Sequence, residues 1–181
     1  RTSLVPSVLR TLSQNLKFLH GKPIRIFEMG RVYKYMQVAE NEMLPNEKEK
    51  IVGVLCGPRD DDSWLSAGEA VDFYDGKGIL ELFFKSLSID INWSESKNNV
   101  LLSEACAGIY VDGVEIGMIG AVKQEVAKYF DIDSPVILFE IDVDSLDRYL
   151  GERTRVYSQI NRFPSSERDV SLVFDKSITS A

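Results

Sequence analysis

Cysteine and histidine are nearly missing from this sequence of 181 residues, which holds two Cys and one His. Cys56 and Cys106 lie fifty positions apart, a spacing that makes neither a zinc ribbon nor a CxxC redox pair. They are expected to be free, buried thiols of a cytosolic protein. His20 cannot anchor a metal site alone. It is expected near a helix C-terminus, where the dipole favours a cation. No apolar run approaches the ~20 residues that span a bilayer, and no basic n-region with an apolar h-region opens the chain. GxSxG, HExxH and GxGxxG do not occur. Gly76-Lys77-Gly78 lacks the glycine-rich lead and the Lys-Ser/Thr ending of a phosphate loop. Asp60-Asp61-Asp62 lacks the alternating ligand spacing of a calcium loop. Residue chemistry alone therefore reaches a soluble α+β domain without a recognisable active site.

What is present points to a packed fold. Hydrophobic residues make up 44% and charged residues 27%, with nine Phe, seven Tyr and two Trp, too many aromatics for a disordered chain. A chain of this length buries roughly 70% of its unfolded surface and needs no metal or disulfide staple. Charge is uneven. Residues 1–34 hold seven cations against Glu28 alone, a net of +6, which leaves −13 for the rest of a chain whose total is −7. The acidic body disfavours non-specific nucleic-acid binding, while the basic end suits docking or simple solvation. The chain opens on Arg1 and closes after a strand-like run, which is expected of a piece of a longer polypeptide.

Thr2 or Ser3 can cap a helix with Pro6 in its first turn. Leu4, Val8, Leu9, Leu12 and Leu16 follow helical spacing until Gly21-Lys22-Pro23. Alternation predicts a strand over 24–35, and 51–56 is a short apolar strand. Residues 37–50, polar and acidic with Pro45, are expected to be an exposed loop. A helix is predicted over 71–87, with Phe73, Leu80, Phe84 and Leu87 on one side. Gly76 and Gly78 within it predict close approach of another element. Asp112-Gly113 between alternating runs predicts a hairpin of 107–111 and 114–122. Gly117 and Gly120 mark a bulge or close contact. A short helix over 123–130, a strand over 136–143, a helical turn through Tyr149, an extended linker over 153–161 and a strand over 168–175 complete an α+β sheet of about six strands with three or four helices.

Arg1-Thr2-Ser3-Leu4-Val5-Pro6-Ser7-Val8-Leu9-Arg10-Thr11-Leu12 with Asn15-Leu16 resembles a segment of the phenylalanyl-tRNA synthetase β subunit. Further blocks agree in order. They are Ile26 to Tyr33, Gly53 to Gly57 followed by Trp64, Val71 to Gly78, and Val111-Asp112-Gly113 through Ile116-Gly117, Ile119-Gly120 and Glu125-Val126-Ala127 to Leu138-Phe139-Glu140. Arg162-Phe163-Pro164 with Arg168 to Val173 is similar to the entry into that subunit's ferredoxin-like anticodon-binding domain. The pattern departs at Ser103-Glu104-Ala105 and Lys123-Gln124, where many bacterial relatives carry histidines.

The resemblance implies a class II aminoacyl-tRNA synthetase-like antiparallel sheet flanked by helices. Residues 1–161 would form a catalytic-like module and 162–181 the linker and first strand of a truncated anticodon-binding domain. It implies an α subunit as partner in an (αβ)2 heterotetramer that charges tRNA(Phe) in the cytoplasm. ATP and Mg would serve that complex, with no cofactor and no metal held by this module, no catalytic residue in it and no membrane contact. Class II chemistry needs cations to hold the ATP phosphates. Here Phe27-Glu28-Met29-Gly30-Arg31 occupies the strand that resembles motif 2, and no later glycine-rich segment ending in arginine precedes Arg148. Glu28 and Arg31 are expected to be a structural pair, across strands or at an interface. The first helix would correspond to the motif 1 interface helix, making Leu4, Val8, Leu9, Leu12 and Leu16 candidate contacts with the α subunit, unless they simply pack on their own sheet. Two other classes stay open. A free-standing synthetase-like paralogue needs two phosphate-clamping arginines. A nucleic-acid-binding domain needs a basic face, for which Arg10, Lys17, Lys22, Arg25 and Lys34 are the candidates.

Overall fold

The computed structural model describes residues 1–39, 42–60, 68–95 and 102–150, with residues 166, 168–171 and 173; the side chains of 35–44 and 101–104 are left aside. The chain divides into two units, Arg1–Gly151 and Glu152–Ala181. In the first, the order is α1 (Val5–Leu16), β1 (Ile24–Ala39), β2 (Glu42–Cys56), α2 (Phe73–Ser86), β3 (Asn92–Glu95), β4 (Leu102–Val111), β5 (Val114–Val122), α3 (Gln124–Tyr129), β6 (Val136–Asp142) and α4 (Val143–Asp147). The fold is α+β. Six strands form one sheet in the order β1-β2-β6-β5-β4-β3, and every pairing is antiparallel.

Alternation along the strands builds two cores, one on each face of the sheet. Val52, Val54, Cys56, Val136 and Leu138 meet α1 and α3. Leu55, Ile137, Ile141, Ile109 and Ile119 meet α2 and Leu146 of α4. Leu4, Val5, Val8, Leu9 and Leu12 of the first helical segment are buried in the first of these cores. Each such side chain contributes roughly 1.5–3 kcal/mol of burial. Ser3 Oγ accepts from the Val5 N–H at 3.1 Å, while Leu4 occupies the N-cap position.

Asp72 caps α2, and its carboxylate accepts from the Tyr74 and Asp75 N–H groups at 2.8 and 3.0 Å. Asp75 returns the bond to the Asp72 N–H at 2.8 Å, a complete capping box. Arg59 ties this end down, its Nε 2.8 Å from Asp75. Gly76 is the expected close approach, since a Cβ there would lie 2.7 Å from Ile119 Cδ1. Gly78 is not: nothing lies within 4 Å of its Cβ position. Asp112 and Gly113 both take positive φ, the backbone of a two-residue hairpin turn. The register shift between Ile109 and Tyr110 opposite Glu115–Gly117 supplies the bulge.

Three expectations need correction. Residues 37–50 are not a loop, because 42–50 continue β2 in register with β1, Pro45 opposite Tyr35. Pairing of β2 with β6 stops at Lys50 opposite Asp142. Beyond it β2 has no partner strand on its β6 side among the described residues, and the side chains of 45–48 are exposed on both faces, where polar residues and a proline are tolerated. The four residues of β3 (Asn92–Glu95) carry no apolar alternation, and sequence alone predicts no element there. His20 lies four residues past the end of α1, outside the reach of a dipole that fades within the last turn. The cysteines are free, Cys56 buried and Cys106 only half-buried. Trp64, Asp61, Asp62, the linker 153–161 and the boundary at 161/162 lie outside the described residues. Of 168–175, residues 168–171 and 173 are described and none is in a strand.

Candidate functional site

Glu28 and Arg31 lie three residues apart on one strand, so they point to opposite faces of the sheet and do not pair with each other. Glu28 faces α1. Its Oε1 accepts from Arg1 at 2.5 Å and its Oε2 from the Ser7 hydroxyl at 2.6 Å. The Ser7 hydrogen bond, aided by Arg1, holds the carboxyl below the usual glutamate range. Arg31 reaches across to Glu47 at 3.2 Å. Each residue thus stands in its own cross-element pair. The expectation that they pair together gives way to the period-two geometry of the strand.

Leu4, Val8, Leu9 and Leu12 are covered by the chain's own sheet, and Leu16 packs partly against the same cluster. The four buried side chains offer no atoms to a partner. The helical stripe marks the side of α1 that seals the core.

On the same face as Glu28, beyond the helix, lies a cleft of about 280 Å³ lined by Lys50, Glu115, Ile116, Gly117, Met118, Glu140 and Asp142. Register explains the grouping. Gly30, Lys50 and Asp142 stand side by side across three strands, and Glu140 stands beside Met118. Lys50 pairs with Glu140, and both side chains are largely buried, 19% and 15% exposed. Lys48 pairs with Asp142 at 2.7 Å. Burial opposes ionisation of Asp142, but Lys48 and the Ser145 N–H outweigh it and hold the carboxyl low. The phenol of Tyr110 donates to Glu115 at 3.1 Å.

The lining holds three carboxylates and one lysine, and that lysine is already neutralised. A nucleotide triphosphate placed there would meet repulsion where catalysis needs cations, so the residues do not fit ATP with its magnesium. Among the described residues, no group of three or more His, Cys, Asp and Glu is arranged to hold a metal. Sequence reasoning missed Lys50, Glu115, Glu140 and Asp142. Their juxtaposition depends on β2 meeting β6, ninety residues away, and a single sequence does not display that pairing.

Residues 1–143 match the model of the family described as Phenylalanyl tRNA synthetase beta chain CLM domain. The chain is 34% identical over 179 residues to the phenylalanine–tRNA ligase beta subunit of Dehalococcoides mccartyi, covering 99% of this chain and 21% of that protein. It is 33% identical to the beta subunit of Syntrophotalea carbinolica, covering 98% of this chain and 22% of the relative. With that of Listeria innocua it shares 32%, covering 97% and 21%. The chain thus spans about a fifth of the length of the curated relatives it matches. Sheet, helices and family match concur: the chain belongs to the phenylalanyl-tRNA synthetase beta chain family and carries its CLM domain.

Proposed function

We propose that this chain is a non-catalytic structural module, class II synthetase-like in fold. It docks the α subunit in an (αβ)2 enzyme and supports cytoplasmic, ATP- and Mg-dependent charging of tRNA(Phe) without itself reacting. One observation carries this reading. Where a synthetase needs free cations above its sheet, this chain has Glu28 tied to Arg1 and Ser7 and Lys50 spent on Glu140. Internal pairs of this kind hold strands together and leave no charge to bind a phosphate.

ATP–pyrophosphate exchange tests it. Residues 1–181 alone are expected to give no phenylalanine-dependent exchange. The assembled enzyme should keep its exchange rate when Lys50→Met and Glu140→Leu are combined, because an apolar pair of similar size replaces an ion pair at little cost. Exchange by the chain alone, or its loss from a correctly assembled double variant, would place chemistry in this cleft and overturn the reading.

A further inference from the structure

The outward side of α1 carries charge of one sign. Residues 1–27 hold five Lys and Arg and no Asp or Glu, in a chain whose net charge is −7. Arg10, Gln14 and Lys17 follow helical spacing and are all exposed. They line one ridge about 10 Å long, opposite the buried Val5, Val8, Leu9 and Leu12. Neither Arg10 nor Lys17 has an ion-pair partner among the described residues. Helix α3, which packs on the same core, adds Glu125 and Lys128, whose charges cancel. At the end of the ridge stands Phe18, 84% exposed. Its turn is held at both ends. The Phe18 and Leu19 N–H groups donate to the Asn15 carbonyl at 3.0 and 2.9 Å, and the Lys22 carbonyl packs against Gly57, where a Cβ would lie 2.5 Å away. A single exposed Phe is ordinary on a protein surface, but this one is presented on an ordered turn between Lys17 and His20, both exposed.

We propose, resting on the reading that the chain serves the charging of tRNA(Phe), that this ridge is a contact for the bound RNA. Arg10 and Lys17 meet backbone phosphates, and Phe18 offers its ring to an unpaired base. Charge complementarity selects the occupant. Cations that neutralise phosphates release counterions, which drives binding, and a cation beside an exposed ring holds a strand without reading its sequence. The acidic remainder of the chain repels phosphates, so it confines the contact to this side. A second copy is a poor occupant, because two such ridges carry the same sign. An acidic protein surface would answer the charges but gives Phe18 no base to stack on. Two phosphate contacts make a subsidiary grip within a larger interface, far short of the roughly 6–10 that dominate a strongly salt-dependent complex.

The test uses the assembled enzyme with the intact β chain, titrated with tRNA(Phe) at several salt concentrations. Arg10→Gln combined with Lys17→Gln should raise the Kd roughly tenfold at low salt and lower the slope of log Kd against log salt by about 1.5–2. Phe18→Ala should raise the Kd about fivefold with the slope unchanged, and Phe18→Tyr should restore it. Phenylalanine-dependent ATP–pyrophosphate exchange needs no tRNA, so it should be unchanged in all three variants, as should the mass of the complex. An unchanged slope in the double variant, or an unchanged Kd in Phe18→Ala, would overturn the proposal and leave the scaffold reading standing, since exchange and complex mass test that separately. Loss of complex mass or of exchange in the double variant would place the α subunit on this ridge and would overturn the proposal as well.

Discussion

Leu12 separates two meanings of one apolar stripe. The sequence displays the stripe plainly, but helical spacing alone cannot say whether it faces a partner or its own sheet. In the structure Leu12 is wholly buried among strand residues. Leu12→Ala is therefore expected to lower stability by about 2–5 kcal/mol, read by denaturant unfolding, while the folded fraction keeps its affinity for the α subunit. Lost affinity at unchanged stability would return the stripe to an interface. Glu28 makes a prediction of acid behaviour. Its carboxyl is held low by Ser7 first and then Arg1, so its contribution is complete above the ordinary glutamate range and disappears as pH falls through the lowered value. Glu28→Gln should lower the melting temperature at neutral pH and narrow the gap to wild type between about pH 5 and pH 3. An unchanged gap across that range would contradict the pairing. The partners of Glu28 were hidden in the sequence because one lies 27 residues away and the other on a helix turned over the strand.

At the scale of elements, periodicity revealed most of the fold. The hairpin turned at Asp112-Gly113 and the helix capped by Asp72 were visible because turn and cap chemistry are local. The part of β2 over 45–48 was not, since side chains exposed on both faces carry no apolar alternation. The two glycines of α2 show the same limit. Sequence gives both the same reading, but Gly76 faces Ile119 and Ile137 while Gly78 faces open space. Gly78→Ala should stabilise by about 0.4–1 kcal/mol. Gly76→Ala should destabilise by about 1–3 kcal/mol, because the added methyl must push two isoleucines aside. Chemical denaturation of the two variants reads the contrast, and equal effects would mean that α2 does not sit on β5 and β6 as described.

For the whole molecule, the two faces of the sheet divide the work. Helices seal a core on each, and the polar surface above β2, β5 and β6 carries the ion pairs Lys48–Asp142 and Lys50–Glu140. The family was legible because its blocks recur in order along nearly the whole chain. The acid-lined cleft was not, because β2 and β6 are far apart in sequence. Scaffolding requires a partner, and the mass of the complex asks for it directly. Light-scattering mass after size exclusion, with residues 1–181 and the matching α subunit mixed, should give one co-eluting species whose mass exceeds either component by at least one copy of the other. Two species eluting separately at their own masses would contradict the docking role.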